Sequence, residues 1–168
     1  MHAKAIISLL GLLSASTAAV LPRQEEYNDD SRGPGAGVFD ISDFSVSQIH
    51  NSPDTVSYSF YIKETNQAPV GFNTTQCAAT TSTGGISDVQ STNFQNDDVS
   101  FSFKNNGTGY VLTLAHVYSD PYYTQDSGDA FFPNSDSKTR TNEETQQQEA
   151  YLDAPEGFTV TYYRVAAA

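Results

Sequence analysis

The side chains best able to do chemistry in this 168-residue chain are one cysteine, three histidines and twenty carboxylates. Cys77 would need a neighbouring base to become a nucleophile, and no cysteine-hydrolase signature surrounds it; His50 and His116 are the candidate bases. Neither H-E-x-x-H nor C-x-x-C occurs, which leaves zinc without a motif, and no G-x-S-x-G marks a serine nucleophile. Asp126, Asp129 and Asp136 carry oxygens suited to calcium, but their spacing is not that of an EF-hand. A glycosidase needs two carboxylates held ~5–9 Å apart, and a chain with this many acids singles out no pair. The expectation is a protein with no catalytic residue, no metal and no cofactor.

Other residues point to binding or modification. As a lone cysteine, Cys77 is either a buried free thiol or the link of a homodimer through an intermolecular disulfide. Asn73-Thr74-Thr75 and Asn106-Gly107-Thr108 are glycosylation sequons. Residues 119–140 read as a long loop, with Asp, Ser, Gly and Pro around Tyr122, Tyr123, Phe131 and Phe132. Those four rings could form a platform for a sugar or a protein partner, or fold down onto the domain. His116 lies on the face that carries Tyr110 and Leu114, which makes it a hydrogen-bonded core or rim residue.

These residues sit in a chain with a clear order. Residues 1–19 have the pattern of a secretory leader: Lys4, the apolar run Ala5–Leu13, then small residues to Ala19. Residues 20–37 read as a disordered acidic tether, with Leu-Pro-Arg ending at Arg23 as a candidate second processing site. Residues 38–165 form the body. Twenty acidic residues against eight basic ones give a net charge of −12, which speaks against nucleic acid and anionic membranes as partners.

The body reads as five to eight short strands. Val56, Tyr58, Phe60 and Ile62 alternate cleanly, as do Val99, Phe101 and Phe103. Ile41 and Phe44 are out of phase, which predicts a bulge. Lys104–Gly109 is a hairpin turn, and Tyr110–Tyr118 alternates with apolar residues on both faces, as a central strand does. Glu143–Tyr151 reads as one or two helical turns capped by Asn142. The fold class is all-β, a single antiparallel sandwich or barrel.

Phe39-Asp40-Ile41-Ser42-Asp43-Phe44-Ser45, the turn around Ser52, Tyr58-Ser59-Phe60 and then Cys77 together resemble the family of the Alternaria major allergen, small secreted fungal proteins. The resemblance implies an antiparallel β-barrel or sandwich, secretion, no established enzymatic activity, and an effector- or allergen-like role through a host or cell-wall partner. Relatives commonly bracket the first turn with cysteines, whereas Gln48–Thr55 here contains none, so no disulfide is expected to staple the core. Two other readings remain: a cell-wall polysaccharide-binding or -degrading protein, and a barrel holding a small apolar ligand.

Overall fold

The computed structural model describes residues 37–65, 74–94, 96–119 and 123–166. The leader, residues 20–36 of the expected tether, Asn73 and Tyr122 lie outside them, whereas Gly37, assigned to the tether from sequence, opens the first strand. Strand follows strand along the described chain: β1 (Gly37–Ile49), β2 (Ser52–Thr65), β3 (Thr75–Thr81), β4 (Val89–Phe94), β5 (Asn96–Asn105), β6 (Gly109–Ser119), β7 (Tyr123–Pro133), β8 (Ser137–Thr141), β9 (Gln148–Leu152) and β10 (Phe158–Ala166). All pair antiparallel, in the order β3-β2-β1-β10-β7-β6-β5-β4, and the sheet curls until it is nearly closed and barrel-shaped. The β8–β9 hairpin lies off this path and joins it where Tyr151 meets Ser47 of β1.

Period-two alternation decides what fills the interior. In β1 the buried set begins with Phe39 and Ile41 and resumes, one residue out of phase, with Phe44 and Val46. The expected bulge produces the shift. The register jumps between Ser42 and Ser45, and Asp43 takes φ 52°, a left-handed conformation that aspartate tolerates better than most side chains. Without that extra residue Phe44 would face water. It stacks instead on Phe132, with centroids 5.1 Å apart, and meets Phe158 edge-on at 5.3 Å. Further rings complete the core: Phe60 against Phe101 at 5.1 Å, Phe103 against Tyr110 at 5.3 Å, and Phe39 against Tyr162 at 4.6 Å.

β6 is central, flanked by β5 and β7 as its two-sided apolar pattern required. Two other expectations need correcting. Residues 119–140 are not a long loop, because Tyr123–Pro133 pair with β6 along their whole length. Gly128, which reads as a turn residue in sequence, is where β7 closes on β10: a Cβ there would lie 2.5 Å from the Thr161 carbonyl oxygen. Residues 143–151 are not a helix. Asn142 does cap one turn, its Oδ1 accepting from the amides of Glu144 (2.9 Å) and Thr145 (3.0 Å). The chain then reverses at Gln146 (φ 57°) and enters β9, whose ladder with β8 replaces further helical bonds.

Candidate functional site

One end of the barrel gathers the start of β1, the end of β2, the end of β6, the start of β7 and the end of β10. Elsewhere the buried positions are mostly apolar, with Gln48 and Glu149 as exceptions; at this end several ionisable side chains come together. Glu64 extends the inward series Val56-Tyr58-Phe60-Ile62 of β2, and His116 extends Leu112-Leu114 of β6. Asp126 is the cross-strand partner of His116, and Arg164 of β10 is the partner of Asp126 on its other side. Glu64, His116 and Asp126 are 8%, 3% and 0% exposed. One ligand atom from each lies within 4.8 Å of those of the others.

The Glu64–His116 contact spans the barrel, since β2 and β6 are not neighbours in the sheet. His116 Nδ1 stands 3.0 Å from Glu64 Oε2, and with the carboxylate ionised this nitrogen is the donor. Burial pushes the Glu64 carboxyl up, but the hydrogen bond from His116 and the neighbouring Tyr162 hydroxyl outweigh it and hold the group below its ordinary value of 4.5. Arg164 grips Asp126 with two bonds, Nε to Oδ1 and Nη2 to Oδ2, each 2.8 Å. This grip holds the guanidinium firmly protonated. The Tyr118 hydroxyl donates to Asp126 Oδ2 at 3.2 Å, and its ring packs against His116 with centroids 4.9 Å apart. Burial, then the negative charge of Asp126, pushes the Tyr118 phenol up to about 12.

Two atoms in this cluster are buried without a hydrogen-bond partner, Glu64 Oε1 and the Tyr162 hydroxyl. The phenol and the carboxylate are near enough to bias each other's ionisation, and burial, then Glu64, raises the Tyr162 phenol. No hydrogen bond of good geometry closes between them.

The residues singled out by sequence end in different places. Cys77 points inward from β3, 2% exposed, and burial raises its thiol to about 12. An intermolecular disulfide would have to bring that sulfur out of the core. Native protein at neutral pH is therefore expected to react with a thiol reagent only at its unfolding rate, with full reaction on denaturation. Fast labelling of the native chain would contradict the packing around β3.

Asn106 occupies the exposed β5–β6 hairpin tip, its Oδ1 accepting from the amides of Thr108 (3.1 Å) and Gly109 (3.0 Å). Of the four rings proposed as a platform, Phe132 is 0% exposed in the core and Phe131 is half-buried; only the backbone of Tyr123 is described. The set is split by strand alternation, since neighbouring residues of β7 face opposite sides. The same alternation separates the three aspartates considered for calcium. Asp126 faces inward, Asp129 faces solvent three residues on, and Asp136 lies in a short 3-10 turn at 134–136. His50 makes an exposed pair with Glu144 (2.8 Å), far in sequence from His116.

No protein-family model matches the chain, and no curated protein matches it either.

Holding the Glu64 carboxyl below its ordinary value fixes the sign of a pH effect. A carboxyl whose value is depressed by folding adds stability that is fully present above the unfolded value near 4.5 and is lost as pH falls through the folded value. Urea unfolding in chelator-containing buffer from pH 7 down to pH 3 is expected to show this loss in the native sequence. Glu64→Gln should flatten that part of the profile. An unchanged profile would mean that Glu64 is not the carboxylate that His116 holds ionised.

Proposed function

We propose that the protein is a secreted, non-catalytic, effector- or allergen-like binding protein that holds a small cation or hydrogen-bond donor at the Glu64–Tyr162 end of its barrel. The observation that carries this reading is the pair of buried, unpartnered polar atoms, Glu64 Oε1 and the Tyr162 hydroxyl. Each such group costs about 1–3 kcal/mol when left unsatisfied, and a bound ion or water is one of the ways in which a native fold offsets that cost. The leader-like residues 1–19 support secretion, and the resemblance over Phe39–Ser45 and Tyr58–Phe60 supports the fungal effector- or allergen-like setting. An apolar ligand is a weaker fit, because ring-on-ring contacts occupy the middle of the barrel.

The test is thermal unfolding of the mature chain against divalent metal chlorides, a polyamine and soluble cell-wall oligosaccharides. A ligand acting through the cluster raises Tm in the native protein and loses that effect in Glu64→Gln. An oligosaccharide that stabilises both equally would favour the polysaccharide reading and overturn this one. So would the absence of any shift in the native protein.

A further inference from the structure

We infer that Glu64, His116 and Asp126 form a binding site for one divalent transition-metal ion. This rests on the proposed ligand end of the barrel and names its occupant. The three donors come from three strands, are all at least nine-tenths buried, and converge within 4.8 Å. Tetrahedral zinc with bonds of ~2.0–2.2 Å places its donors about 3.3 Å apart. Glu64 Oε2 and His116 Nδ1 lie 3.0 Å apart; the ion takes the place of the proton shared between them, which is released to solvent on binding, and Asp126 supplies the third donor within 4.8 Å.

A second observation separates this cluster from a self-satisfied ion pair. Glu64 Oε1 is buried and has no partner, so the carboxylate retains acceptor capacity that its contact with His116 does not use. Asp126 is oriented from behind by Arg164 and Tyr118, the arrangement by which outer groups fix a ligating carboxylate. Oxygens gripped in this way keep further lone pairs.

The charges agree. Two carboxylates and one guanidinium leave a net negative charge on the buried group before His116 is counted, and a bound cation offsets it. One nitrogen and two oxygen donors favour a first-row transition ion over calcium, which takes six to eight oxygens. The Tyr162 hydroxyl, likewise unpartnered, is close enough to Glu64 for the two to affect each other's ionisation. The side chain of Arg164 is 35% exposed, which leaves the cluster within a side chain's reach of solvent.

The probe is zinc chloride titrated into metal-free mature protein and followed calorimetrically. Two-dimensional NMR of the histidine rings runs in parallel. One ion per chain is expected. Glu64→Gln and His116→Gln should each weaken binding at least ~10-fold. In the native protein the ring resonances of His116 should move while those of His50, beside Glu144 on the surface, stay in place. This NMR measurement needs no variant, so the inference remains testable if either substitution unfolds the barrel.

Movement of His50 instead, equal binding by native protein and both variants, or a preference for calcium would each overturn the site. If zinc fails but a polyamine stabilises the native protein and not Glu64→Gln, the metal falls and the broader ligand reading stands. If neither binds, both fall.

Discussion

Arg164→Met is expected to destabilise the protein by about 3–5 kcal/mol, the range for removing one partner of a buried ion pair. The reason is the asymmetry of the pair. Asp126 is 0% exposed, whereas the Arg164 side chain is 35% exposed. Without the guanidinium, the carboxylate is left in the barrel with the Tyr118 hydroxyl at 3.2 Å and no counter-charge gripping it. The reverse change, Asp126→Asn, should cost less, about 1–3 kcal/mol, because the freed guanidinium can turn toward water while the amide keeps the shape of the site. The double variant should then be more stable than the sum of the single costs, with a coupling of about 0.5–3 kcal/mol. Urea unfolding at neutral pH measures all three. A loss below about 1 kcal/mol for Arg164→Met would place the pair with ordinary surface salt bridges and would contradict the burial of Asp126.

That asymmetry also shows why the cluster was hard to read in sequence. His116 was legible, since it falls on the same face as Tyr110, Leu112 and Leu114. Glu64 was legible in principle. It keeps the alternation of Val56 to Ile62, but a carboxylate at an inward position looks like the end of a strand until a partner is known, and that partner lies 52 residues away. Asp126 carried the wrong local signal. Thr-Gln-Asp-Ser-Gly-Asp has the composition of a loop, and composition reflects local backbone preference. Pairing with β6 and β10 overrides that preference, and the glycine serves close approach of two strands rather than a turn. The bulge at Ser42–Asp43 was visible because a phase slip in an apolar series has few other causes. The Glu143–Tyr151 reading failed for the opposite reason, since one capped turn looks the same whether a helix or a hairpin follows. Strands with apolar inner faces announced themselves, and the end of the barrel that carries Glu64, His116 and Asp126 did not.

Phe132→Ala is expected to cost about 3–5 kcal/mol, the range for truncating a buried phenylalanine. It distinguishes a core role for this ring from a ligand role. Phe132 is 0% exposed and contacts three other rings: Phe44 stacked at 5.1 Å, Phe158 edge-on at 5.6 Å and Phe103 tilted at 6.3 Å. Two of these come from distant parts of the chain, β1 and β10, and Phe44 reaches the interior only because the bulge turns it there. Truncating Phe132 therefore removes its own burial and leaves a cavity beside a bulged strand, which holds Phe44 in place by backbone pairing and cannot collapse freely. Phe131, half-buried on the other side of β7, should cost markedly less on the same change. The measurement is chemical unfolding of both variants beside binding of soluble cell-wall oligosaccharide. If Phe132 were a ligand ring, its loss would leave stability near that of the native chain and abolish binding. A large loss of stability confined to Phe132 is what a core ring produces, and it would leave the ionisable end of the barrel, rather than the β7 aromatics, as the place to look for a ligand.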